Sequence, residues 1–91
     1  MKKIKLSTPT KEELQKLNVD NWPVWECGVS RFNWEYDEDE TCYILEGEVV
    51  VETEDGEKYT IKKGDLVTFP KGLKCVWDVK KPIRKRYSFN V

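Results

Sequence analysis

The chain contains no histidine. That absence removes the usual general base at neutral pH and the commonest neutral metal ligand. Ser-His, Cys-His and HExxH chemistries are excluded with it. Cysteine is sparse. Cys27, Cys42 and Cys75 are odd in number and form no CxxC pair, so neither a disulfide framework nor a structural zinc site is expected. No apolar run nears the roughly 20 residues that span a bilayer. The start, MKKIKLSTPT, lacks the apolar core of a signal peptide. Reduced cysteines without an export signal place the protein in the cytoplasm, with no membrane partner expected. An excess of one charge is lacking too. Sixteen Lys and Arg against 17 Asp and Glu leave a net charge of −1, so nothing draws the whole chain to nucleic acid.

What is present suits one small domain. Ninety-one residues cannot bury two cores, so residues 1-91 are read as a single unit. A composition 38% hydrophobic and 36% charged provides a small core under a solvated surface and argues against disorder. High Lys and Glu with a single Met resembles thermostable usage.

Residues 2–6 (KKIKL) read as a short strand. Thr10 and Glu13 then form a capping box, in which side chains satisfy free N–H groups of the first helical turn. Leu14 and Leu17 face the body of the domain and Asn18 stops the helix. Everything after this one short helix has two-residue periodicity. Ser30, Phe32, Trp34 and Tyr36 share a face. So do Glu40, Cys42, Ile44 and Glu46, opposite Thr41, Tyr43 and Leu45, and Gly47 breaks that strand. Asp55-Gly56 predicts a type I′ hairpin. Leu73, Cys75, Trp77 and Val79 alternate, as do Ile83, Tyr87, Phe89 and Val91. Eight or nine short strands punctuated by turns predict an all-β sandwich or barrel.

Two spacings narrow this further. Gly28, Trp34, Tyr36, Glu40 and Gly47 stand at the intervals x5, x, x3 and x6. Gly64, Pro70, Gly72 and Cys75 stand at x5, x and x2. The chain therefore resembles the cupins, whose two motifs read G-x5-H-x-H-x3-E-x6-G and G-x5-P-x-G-x2-H-x3-N. Trp34, Tyr36 and Cys75 occupy the three histidine positions, Val79 the closing asparagine, and only Glu40 is kept. The segments at 25–27 (WEC), 36–49 (YDEDETCYILEGEV), 62–72 (KKGDLVTFPKG) and 84–87 (RKRY) are similar to one subfamily. It comprises the small cupins grouped with the ureidoglycine aminohydrolase cupin domain and ethanolamine-utilisation protein Q. The resemblance covers about residues 22 to 88. It implies an RmlC-like jelly-roll β-barrel of two antiparallel sheets with one short N-terminal helix, and often a homodimer. The aminohydrolase uses manganese on two barrels with its own ligands. Carrying that activity to a single barrel without histidine would rest on fold alone.

The same resemblance points Trp34, Tyr36, Glu40 and Cys75 into the barrel mouth, with Trp77 on the wall. Glu40 is the candidate acid or base, with Tyr36 assisting; its alternative is a solvated strand start. Cys75 is a ligand-binding or metal-binding thiol, or a small buried core residue. Trp34, Tyr36 and Trp77 either wall a cavity for a planar or sugar-like ligand or fill the barrel. Trp22 and Trp25, flanking Pro23, read as a plug or an interface anchor, and Cys27 and Cys42 as core. Tyr43 and Leu45 suggest a sheet covered by a partner subunit. The basic run KKPIRKR at 80–86 reads as a solvated edge. No metal or other cofactor is expected. Three functions fit: a metal-free binder of a small molecule, an aminohydrolase- or isomerase-like enzyme using Glu40, and a structural or protein-interaction module with a filled barrel. The first is favoured.

Overall fold

The computed structural model describes residues 3–90. Lys2, placed by the sequence in the first strand, and Val91, placed on the last apolar face, lie outside the described residues. A short strand β1 (Lys5–Ser7) leads to helix α1 (Lys11–Leu17). Thr10 and Glu13 make the expected capping box, each side chain accepting from the other's backbone N–H at 3.2 and 3.1 Å. Asn18 ends the helix in the left-handed region, at φ 61°. A single 3-10 turn, Val19–Asn21, buries Val19 and delivers the chain to β2 (Val24–Cys27).

Six further strands follow in the described residues after β1: β2, β3 (Ser30–Glu35), β4 (Glu40–Thr53), β5 (Lys58–Lys62), β6 (Leu66–Phe69) and β7 (Lys74–Phe89). The total is seven, not eight or nine. The reason lies in β4 and β7, of 14 and 16 residues, each of which runs on through an expected break. Gly47 does not end β4. It adopts φ 94°, and a Cβ there would strike the carbonyl oxygen of Pro82 on the facing strand. The β4–β7 register slips between Ile44 and Glu46, Glu46 and Glu48, and Glu48 and Val49. Bulges there bend the paired strands together, and each strand changes its outer neighbour along its length within one seven-stranded sheet. The first half of β4 pairs with β6, and its second half with β5. The first half of β7 pairs with β3, its second half with β2. All pairings are antiparallel, with β1 added beside β6. The result is the expected jelly-roll barrel.

The hairpin between β4 and β5 differs from the expected type I′ turn. A type I′ turn needs positive φ at both central residues. Gly56 alone adopts it here, at φ 84°, and its N–H donates to the carbonyl of Thr53 at 3.0 Å. The turn therefore closes one residue early and Asp55 keeps ordinary geometry.

Inside, Ile44, Val49, Val51, Ile61, Val67, Phe69 and Val79 are fully or almost fully buried. Arg86 donates to the carbonyls of Asp20 and Trp22, at 3.1 and 2.8 Å, tying the N-terminal segment against β7. Trp22 is buried there, on the chain's approach to β2. No described helix is long and apolar enough to cross a membrane.

Candidate functional site

One end of the barrel is aromatic rather than aliphatic, and strand register explains why. Phe32 on β3 faces Trp77 on β7, and their rings stack at 6.1 Å. Trp25 on β2 faces Lys85 on β7. Tyr36 follows β3, its backbone clamped by Gly72 and Leu73 at 2.6 and 3.0 Å. Its ring stacks on Phe69 at 4.6 Å. Trp25, Phe32, Tyr36, Trp77 and Tyr87 line a partly open cavity of about 230 Å³, with Trp34 and Phe89, both half exposed, among its other lining residues.

Glu40 and Lys85 also line it. Glu40 opens β4 after the acidic turn at residues 37–39. The turn is held by Asp39, which accepts from the Lys71 N–H at 2.7 Å. Glu40 is only 7% exposed, so the solvated alternative is excluded. Its Oε2 accepts from Lys85 Nζ at 3.0 Å and from the Cys42 thiol at 3.0 Å. Lys85 Nζ also donates to Cys42 Sγ at 3.4 Å and sits 4.9 and 4.7 Å from the ring centres of Trp25 and Trp77. A buried ammonium is tolerable only with such partners: a carboxylate, a soft acceptor and two π faces. Burial alone would lower the Lys85 pKa. The charges of Cys42 and Glu40 outweigh it and hold the ammonium above its ordinary range. Burial pushes the Cys42 thiol up to about 12, with Lys85 opposing. Tyr36 rises well above the ordinary phenol range, first by burial and then by the nearby Cys42, Glu40 and Cys75. At neutral pH its hydroxyl is intact and accepts the Trp77 indole N–H at 3.1 Å.

The sequence-derived residues divide accordingly. Trp34, Tyr36, Glu40 and Trp77 meet around one cavity. Cys75 is not among the lining residues, although it is buried in the core beside Tyr36 and Trp77, as the core alternative expected. It lines a separate, more open hollow with Glu52 and Lys74; Trp34, common to both hollows, stands between. Burial pushes its thiol to about 11. The thiol that faces the carboxylate is Cys42, read from the sequence as core. Lys85 was hidden within the basic run at 80–86. Lys80, Lys81 and Arg84 are exposed, but the run is not an edge: it lies on β7, paired with β4 on one side and β2 on the other, and Lys85 is 6% exposed. Its parity was the available signal: it stands between Ile83 and Tyr87 on the apolar face. Trp25 is part of the cavity wall, meeting Trp77 edge to face at 6.1 Å.

These donors do not fit a metal. Of the four positions that hold ligands in the cupin pattern, only Glu40 offers an anion at neutral pH. The phenol of Tyr36 and the thiol of Cys75 are held protonated, and Trp34 has no free lone pair to give. The ammonium of Lys85 already holds the carboxylate as a cation would. Among the described residues no cluster of three His, Cys, Asp or Glu is arranged to hold an ion.

The profile of the EutQ-like cupin domain matches residues 14–87. The chain belongs to that family. This EutQ-like cupin is 60% identical to a DUF861 family protein of Thermotoga maritima, over 96% of this chain and 99% of that one, with a TM-score of 0.94. To the EutQ protein of Clostridium difficile it is 28% identical over 70% of this chain and 50% of that one, with a TM-score of 0.65. A putative ethanolamine utilization protein Q of Salmonella typhimurium is 26% identical, over 92% of this chain and 66% of that one, with a TM-score of 0.63. No curated protein matches the chain in sequence.

Proposed function

We propose that this EutQ-like cupin binds a small molecule in its aromatic cavity, with the Glu40–Lys85 pair as the polar floor and no metal ion. One observation carries the reading. A hollow of about 230 Å³ survives among large aromatic side chains, with a buried ion pair among its lining residues. Drug-sized ligands occupy about 300–1,000 Å³, so the occupant is one ring or a short chain. Trp25, Trp34 and Trp77 line the hollow, which makes the protein's own fluorescence the probe. In a titration with a broad set of small polar metabolites, at least one should quench that fluorescence saturably. Trp34→Ala should weaken the effect. If no compound binds at millimolar concentration, the reading fails.

A catalytic variant of this reading is favoured by one further detail. Glu40 Oε2 is doubly engaged, while Oε1 has no hydrogen-bond partner among the described residues. In that variant Glu40 moves a proton and Tyr36 assists. Glu40→Gln would then abolish turnover of the compound found by titration, beyond any change in its affinity. In keeping with the cytoplasmic reading, Cys27, Cys42 and Cys75 carry free thiols. A second copy covering the Tyr43–Leu45 face would make the homodimer; sedimentation of the wild type against Tyr43→Glu tests it.

A further inference from the structure

The chemistry of the floor and walls specifies the occupant more closely than its size does. The inference rests on the cavity being a binding site, as proposed above. Three polar groups reach it with capacity left. Glu40 Oε1 accepts nothing from the described residues. Lys85 Nζ has three hydrogens and gives two, to Glu40 and Cys42. The Tyr36 hydroxyl accepts from Trp77 and has no acceptor for its own proton among the described residues. One free acceptor and two free donors therefore line one hollow. A hydroxyl group both donates and accepts, so neighbouring hydroxyls match this set without rearrangement.

Charge narrows the choice again. Glu40 and Lys85 neutralise each other at 3.0 Å with side chains 9% and 7% exposed. An anionic ligand would compete with Glu40 for the ammonium, and a cationic one would compete with Lys85 for the carboxylate. Either leaves a buried charge without its partner. The rings decide between flat and puckered ligands. A flat ring held between two others needs about 7 Å between their faces, twice the ~3.5 Å contact distance of carbon atoms. Neighbouring rings here meet instead at steep angles: Trp25–Trp77 at 78°, Phe32–Trp34 at 84° and Trp34–Tyr36 at 75°. The near-parallel pairs Phe32–Trp77 and Tyr36–Phe69 lie only 6.1 and 4.6 Å apart. The walls form a box with faces in several directions, which suits a puckered ring with C–H groups on every side.

We infer that the ligand is an uncharged polyhydroxyl compound of about one ring, a monosaccharide or cyclic polyol, held by its hydroxyls on Glu40, Lys85 and Tyr36. The test follows the indole N–H resonances of the four tryptophans, assigned by single Trp→Phe variants. The probes are neutral sugars (glucose, galactose, ribose) and inositol, then glucuronate, glucosamine, uracil and phenol. A neutral sugar or inositol should shift the Trp25, Trp34 and Trp77 signals saturably and leave Trp22 in place. The acidic and amino forms should bind at least about tenfold more weakly, as one unpaired buried charge costs. Glu40→Gln should move preference towards glucuronate and Lys85→Met towards glucosamine. Should those variants fail to fold, the wild-type panel decides alone. A charged sugar binding as well as its neutral parent overturns the inference. So does uracil or phenol binding where no polyhydroxyl probe does, although the cavity then stands as a binding site. Silence from every probe overturns both.

Discussion

The two ends of this barrel are made from the same two strands and differ in what they enclose. In β4 and β7 the run through Val49, Val51 and Val79, with Ile61 from β5, packs the interior with branched aliphatic side chains. The other halves carry Glu40, Lys85 and Tyr87, which with Trp25 and Tyr36, and with Trp77 and Phe32 reaching over from beside Val51, line a hollow. Branched aliphatics are compact and interdigitate to crystal-like density. Flat rings meeting edge to face, around two charges that need geometry, cannot close up as completely. The aliphatic end carries stability, and the aromatic end gives up some packing to keep a polar floor.

The largest effect should come from splitting the ion pair. Lys85→Met leaves the Glu40 carboxylate buried beside an apolar stem, and urea unfolding should show a loss of about 3–5 kcal/mol. The double variant Glu40→Leu/Lys85→Met should recover most of it, since no charge is then stranded. If the double variant is as unstable as the single one, the pair is not the unit described here. At the aliphatic end Ile61→Ala should cost about 2–5 kcal/mol through the cavity it leaves. Ligand binding should be unchanged, which separates the two ends by function.

Alkaline pH should act mainly, though not solely, through the aromatic end, since burial also raises the Cys75 thiol. Cys42, Tyr36 and Lys85 all have pKa values raised by folding. Such groups favour the fold fully below their unfolded pKa, and the benefit is lost as pH rises towards the folded value. An unfolded thiol titrates near about 8.5 and an unfolded Lys near about 10.4. Stability should therefore be level from neutral pH to about 8 and fall above it. Cys42→Ala should make the fall shallower, because one of the two buried thiols whose titration begins it is removed. The smallest effect on stability belongs to Trp34→Ala. At 50% exposure it should change unfolding by about 0.5 kcal/mol or less while weakening ligand binding.

The same contrast explains what the sequence discloses. The aliphatic core follows from two-residue alternation, and the capping box and the Gly-Pro-Gly frame are legible directly. Cys42 is core, as its type suggested, though nothing local tied it to a carboxylate. Lys85 was on the right face by parity, but a Lys within KKPIRKR suggests solvent. Pairing is a long-range fact, since Lys85 and Glu40 are separated by 45 positions. Continuity of β4 through Gly47 and of β7 through Pro82 was not legible either. Both residues ordinarily end strands, and only their contact with each other shows that the bend needs them. Cys75 takes the alternative the sequence also offered, a small thiol buried in the core, 6% exposed beside Tyr36 and Trp77.

Where the cupin pattern assigns a metal, Lys85 supplies the cation. The decisive experiment observes the Lys85 ammonium in a side-chain 1H–15N spectrum while Mn2+ and then Zn2+ are added to one equivalent. A protected ammonium signal is expected, shifted by the Trp25 and Trp77 rings, absent in Lys85→Met, and untouched by either metal apart from general broadening by Mn2+. One equivalent of metal bound stoichiometrically, with the signal lost or returned to the position of a solvated lysine, would contradict it.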